Sequence, residues 1–126
     1  MDTVAHTNSQ DDNQVDLELL DLMVISELSG AIPSQRLIVF SVALRNACHE
    51  AIAELRTASS SAEDTAAIAH RIKGMVGNLG LRKLSEIAAK LEQSAAWSSG
   101  ARLSAIVDFE AGLEPSLTAF RVGIKQ

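Results

Sequence analysis

The chain has 126 residues, 47% of them hydrophobic but only 3% aromatic, and a net charge of −5. That is one domain's worth of chain, enough to bury a core without disulfides and with little room for a nucleotide-binding catalytic domain. Acidity and the scarcity of aromatics argue against nucleic-acid binding, the single Cys48 excludes an internal disulfide and fits a reducing compartment, and no apolar run is long enough to span a bilayer.

Residues 1–14 are polar and acidic, unlike a signal peptide, and their composition predicts a mobile tail ahead of one helical domain over 15–126. Helical periodicity begins near Val15. It predicts a first, short helix from about Asp16 to Ser29, with Gly30 as its terminating glycine and Pro33 opening the next element. A second helix is expected from about Pro33 to Ala58, burying Leu37, Phe40, Leu44, Cys48, Ala51 and Leu55. Ser60 and Glu63 read as a capping box for a third helix over about Ser61–Leu79, with Ile68, Ile72, Met75, Val76 and Leu79 inward and Gly80 as its stop. A fourth helix is expected over about Arg82–Trp97, with Leu84, Ile87, Ala88, Leu91 and Ala95 on one face. After a turn at Ser98-Ser99-Gly100, a fifth spans about Ala101–Ile124. Its apolar positions are Leu103, Ile106, Val107, Leu113, Leu117, Phe120 and Ile124, and Pro115 is expected to kink or interrupt it. With no strand pattern, the fold class is all-α: an antiparallel four-helix bundle with an additional short N-terminal helix.

The third helix carries the chemistry. With Ile68 as the core direction and about 100° per residue, His70 points about 160° away, Gly77 about 180°, Lys73 about 140° and Gly74 about 120°. A histidine, a lysine and two glycines therefore share the face opposite the core. Each glycine inside a helix costs roughly 1 kcal/mol relative to alanine, and stability alone gives no reason for two beside an exposed histidine. Bare backbone there admits a second protein and leaves room for a phosphoryl group. A neutral imidazole is a competent nucleophile near pH 7, and Lys73, one turn on, supplies a cation for phosphoryl oxygens. Neither GxxxxGK[ST] nor GxGxxG appears, so a phosphoryl group would arrive from elsewhere.

The run His70-Arg71-Ile72-Lys73-Gly74-Met75-Val76-Gly77-Asn78-Leu79-Gly80 resembles the H-x-[LI]-K-G signature of histidine-containing phosphotransfer (Hpt) domains, such as the module at the end of hybrid sensor kinases. Met75 and Val76 are bulkier than that family's usual residues after the glycine. The resemblance implies a phosphorelay intermediate: His70 accepts a phosphoryl group from a receiver-domain aspartyl phosphate and passes it to another receiver. It implies that Lys73 steadies the phosphoryl oxygens, that Gly74 permits close docking, and that Glu92, where many members carry Gln or Glu, hydrogen-bonds the other ring nitrogen. Arg71, Gly77 and Asn78 join Gly74 as expected partner-binding positions. The expected partners are response-regulator receiver domains and a hybrid histidine kinase. No cofactor is expected on the chain itself, Mg²⁺ being held by the receiver.

The expected protein is a cytoplasmic monomer with no kinase activity of its own. A helical adaptor that binds receivers without phosphotransfer is the alternative, and a degenerate module from a larger kinase is another. A metal-binding bundle would need inward Glu and His pairs where these stripes are apolar, and His49 has no ligand cluster at metal spacing.

Overall fold

A computed structural model describes residues 16–58 and 61–125, so the tail expected over 1–14 lies outside the described residues. A single 3-10 turn, Leu17–Leu19, precedes α1 (Leu22–Ala31), α2 (Ser34–Ala58), α3 (Ala62–Asn78) and α4 (Arg82–Glu92). A second 3-10 turn, Ser94–Ala96, leads into α5 (Ser99–Gly123). No strand occurs among the described residues. Short connections force α2–α5 to alternate in direction. They form a ring in which α3 packs on α2 and α4, and α5 on α4 and α2, with the α3–α4 contact the most extensive. The short α1 lies against α2 and α5. The chain is thus all-α, a four-helix bundle with an added short N-terminal helix.

Each bundle helix contributes an inward face. Leu37, Leu44, Cys48 and Leu55 come from α2, Ala69, Ile72 and Val76 from α3, Leu84, Ala88 and Leu91 from α4, and Ile106, Phe109, Leu113 and Phe120 from α5. Burial pushes the Cys48 thiol up to about 11, which keeps it protonated and unreactive at neutral pH. On the surface, Arg45–Glu114 at 2.9 Å and Arg56–Glu110 tie α2 to α5.

Several local expectations give way to tertiary contacts. The first helix is broken in two. Asp16 caps the 3-10 turn through the Glu18 N–H, Leu20 turns inward in extended conformation, and Asp21 restarts the helix by accepting from the Met23 and Val24 N–H groups. Gly30 does not end α1. Ile32 does, in the extended conformation that a residue before proline adopts. In α2, Phe40 is 42% exposed and Ser41 takes the inward place, its hydroxyl donating to the Ile38 carbonyl at 2.7 Å.

The cap of α3 is Ser61, which accepts from the Asp64 N–H at 3.2 Å; Ser60 lies outside the described residues. Ala69, Ile72 and Val76 are fully buried, whereas Ile68, Met75 and Leu79 are only half-buried. The core direction of α3 is therefore rotated by about 70° from the expected one. The reason is that α3 is wedged between two neighbours, and its deepest line faces the gap between them.

The fourth helix stops at Glu92, where Ser94 turns its hydroxyl to the Leu91 carbonyl at 2.6 Å and opens the second 3-10 turn; the Ala95 side chain lies outside the described set. Of its expected face, Ile87 is half-buried. Ser98 is not in a free turn but caps α5 through the Ala101 N–H at 3.1 Å, so Ser99 and Gly100 are helical. Leu103 and Val107 are exposed. Pro115 does not interrupt α5. Both Pro115 and Ala111, whose carbonyl loses its i+4 donor, are exposed, which leaves that carbonyl open to solvent.

The corner between α3 and α4 sets the register of everything that follows. Gly80 adopts φ +76°, its N–H donates to the Gly77 carbonyl, and the Leu81 N–H donates to the Val76 carbonyl, both at 3.0 Å. This is a Schellman closure, and the left-handed φ is why glycine stands there. The Asp21 N–H donates to the Gly80 carbonyl at 2.8 Å, fastening the start of α1 over the corner.

Phe109 and Phe40 separate core from surface. Phe109→Ala is expected to lower unfolding free energy by about 3–5 kcal/mol, and Phe40→Ala by less than about 1 kcal/mol, in chemical denaturation.

Candidate functional site

The outer face of α3 begins with His70, whose side chain is 71% exposed. Its Nδ1 lies 2.5 Å from Oε2 of Glu92 on α4. The other oxygen of the same carboxylate, Oε1, pairs with Lys73 Nζ at 2.7 Å. One carboxylate thus spans the α3–α4 seam and holds both an imidazole and an ammonium. The rotation of α3 makes this possible: it carries Lys73 onto the flank facing α4 while leaving His70 outside. His70–Glu92 and Gly77–Ser85 are both centred on Leu81, as two antiparallel helices joined at that corner require.

The electrostatics follow from the contacts. The bond from Lys73, and after it the bond from His70, hold the Glu92 carboxyl below the usual carboxylate range. The ionised carboxylate only accepts, so the ring must donate from Nδ1. A neutral His70 then carries its lone pair on Nε2, the nitrogen left to solvent.

The glycines divide by what surrounds them. A Cβ on Gly74 would meet nothing within 4 Å, and one on Gly77 would meet only the Ser85 hydroxyl, at 3.6 Å. The packing of this chain therefore requires neither. Gly80 is different, since a Cβ there would press on Val24 and Ile25 at 3.2 Å.

The structure brings together His70, Lys73 and Glu92, and sets Gly74 and Gly77 on the same face. Asn78 is exposed at the end of α3, two turns from His70. Arg71 is not drawn into the group: it turns to α2 and pairs with Glu54 at 3.0 Å. Ser85 and Ala89, which share a face of α4 with Glu92, were missed from the sequence; their i, i+4, i+7 spacing with Glu92 is the signal that points to them. No group of three or more His, Cys, Asp or Glu converges as a metal site among the described residues, and none of the described helices is long and apolar enough to cross a membrane.

Residues 37–121 match the family model for the Hpt domain. This chain belongs to that family. The match starts inside α2 and ends inside α5, so it covers all of α3 and α4 and most of the other two bundle helices. Comparison with curated proteins and with solved structures gave no match. Membership in the Hpt family implies a histidine phosphotransfer role in a phosphorelay, and Hpt domains generally interact with response-regulator receiver domains.

The Glu92 bridge has two consequences that can be measured. Wild-type neutral His70 is expected to carry its proton on Nδ1 by ¹⁵N NMR, and Glu92→Ala to move it toward Nε2. Because the folded-state pKa of Glu92 is depressed, its pairing adds stability above the ordinary carboxylate range, and this is lost as pH falls through the lowered value. The stability gap between wild type and Glu92→Ala, present at neutral pH, should therefore close on acidification.

Proposed function

We propose that His70 is the phosphoacceptor, and that it takes a phosphoryl group from an aspartyl phosphate on one receiver domain and hands it to an aspartate on another. The observation that carries this reading is the ring itself: exposed, and tethered by Nδ1 to Glu92 so that Nε2 faces outward. In the first transfer the Nε2 lone pair forms the N–P bond while the P–O bond to the receiver aspartate breaks, and that carboxylate leaves. The ring becomes cationic, and its Nδ1 proton stays on the bond to Glu92, whose negative charge stabilises it. The second transfer reverses these steps onto a new carboxylate. Lys73, one turn from His70, steadies the phosphoryl oxygens, and Mg²⁺ on the receiver neutralises the rest. Gly74 and Gly77 leave the backbone open to the partner, and Asn78 extends the same face.

The chain acts in this reading as a carrier without kinase activity of its own, working as a monomer in the cytoplasm. A hybrid histidine kinase fits as the source of the donor receiver. Arg71, held on Glu54, contributes to the positive field at the edge of the docking face.

Incubation with phosphorylated receiver domains should place an acid-labile, alkali-stable label on the wild type and none on His70→Gln. Absence of label across a panel of receivers overturns the reading and leaves the adaptor that binds without transfer; equal label on His70→Gln overturns His70 as the acceptor. Lys73→Ala is expected to slow transfer by about a hundredfold to a thousandfold with little loss of fold, the range for removing one donor aimed at developing charge. Gly74→Leu should retain helix content and slow transfer sharply.

A further inference from the structure

The face of α4 turned away from Glu92 borders a groove of about 750 Å³, shared with α5. Ile87, Trp97, Ala105 and Pro115 give it an apolar floor. Leu19 and Asp16 stand at the end beside the start of α4, and Trp97 at the other. Lys83 and Lys90 form the α4 lip, with Asp108 on the α5 lip.

Three features of the chain point to what covers this groove. First, its lysines are unspent. Arg45, Arg56, Arg71 and Arg82 each hold a carboxylate, whereas Lys83 and Lys90 have no ion pair or hydrogen bond with any described residue. Seven residues apart on a helix, they set two ammonium groups about 10 Å apart along an apolar trough. Second, the chain itself leads into the groove. Asp16, the first described residue, lines it, and the Glu18 carbonyl accepts from Arg82 at the start of α4. Third, residues 1–15 carry the complementary charge: Asp2, Asp11 and Asp12, with neither Lys nor Arg. Asp12 and Asp11 lie four and five residues before Asp16, at most about 14 and 18 Å of extended chain, which spans the distance from Lys83 to Lys90. Asp108 repels carboxylates from the α5 lip and so favours the lysine side.

We infer that the groove between α4 and α5 is the seat of the chain's own N-terminal segment, residues 1–15, with Asp11 and Asp12 facing Lys83 and Lys90. Each exposed pair is weak alone. The covalent tether compensates, because it holds the segment beside the groove at an effective concentration on the order of millimolar. The segment then shields apolar surface that would otherwise invite association. Since the groove lies across α4 from Glu92, His70 stays open, and this inference stands or falls apart from the phosphotransfer reading.

Trp97 is the chain's single tryptophan, so acrylamide quenching of its fluorescence in the full chain reads the cover directly. Two double variants, Asp11→Lys with Asp12→Lys and Lys83→Glu with Lys90→Glu, remove the complementarity from either side. The quenching constant is expected to rise about twofold in each, with helix content by circular dichroism unchanged. It should rise equally in the wild type at about 1 M NaCl, where the screening length is about 3 Å. Combining all four substitutions exchanges the charges and should restore the low-salt wild-type value. Unchanged quenching in both double variants, or no recovery in the fourfold variant, overturns the inference. Wild-type protection that grows with protein concentration gives the groove to a second copy, and protection that appears only when a receiver domain is added gives it to that partner; either overturns the inference as well.

Discussion

A single carboxylate joins the two helices that matter most. Glu92 accepts from His70 with one oxygen and from Lys73 with the other, at 2.5 and 2.7 Å. Without it the imidazole would be a freely rotating surface ring and the ammonium a solvated surface charge. With it, the ring has a defined orientation and tautomer, and a cation is stationed one turn away. The energy of such a bridge on a water-accessible surface is small. Its value is positional: it decides which nitrogen faces a partner.

The bridge depends in turn on the α3–α4 corner. Gly80 can adopt its left-handed φ because it has no Cβ, and the resulting closure fixes how far along α4 each residue falls opposite α3. One residue more or less in that corner would swing Glu92 by about 100° around α4, away from His70. Asp21 adds a tie from α1 to the same carbonyl. The short N-terminal helix, outside the span that matches the family, thus supports the site from behind.

Much of this was legible in the order of residues. The alternation of apolar and polar positions announced helices, and Gly80 announced the end of α3. The HxxKG run placed His70, Lys73 and Gly74 within five residues on one helix, where spacing alone guarantees that they are neighbours. The errors have a common origin. Phe40, Leu103 and Val107 are apolar yet exposed, while Ser41, Ser94 and Arg102 are buried, since a periodic pattern says which side of a helix is greasier but not how much of that side a neighbour covers. Arg71 is a different case: its place at the edge of the His70 face stands, and what the order of residues did not show is its ion pair with Glu54 on α2. Ser85 and Ala89 share the Glu92 face of α4 by spacing, but which part of that face α3 leaves open is set by how the two helices pack.

What the sequence by itself determined is therefore local: an all-helical chain, the position of its main stops, and an outward histidine with a lysine and a glycine on the following turn. Those properties arise from contacts between residues three or four apart, which any helix brings together. What only the tertiary structure decided is non-local. It set the roughly 70° rotation that put Lys73 on the seam, the meeting of His70 with a carboxylate twenty-two residues away, and the placing of Gly77 opposite Ser85. These depend on how two helices pack and where their corner closes, and packing is settled by the summed shape of all the core side chains together.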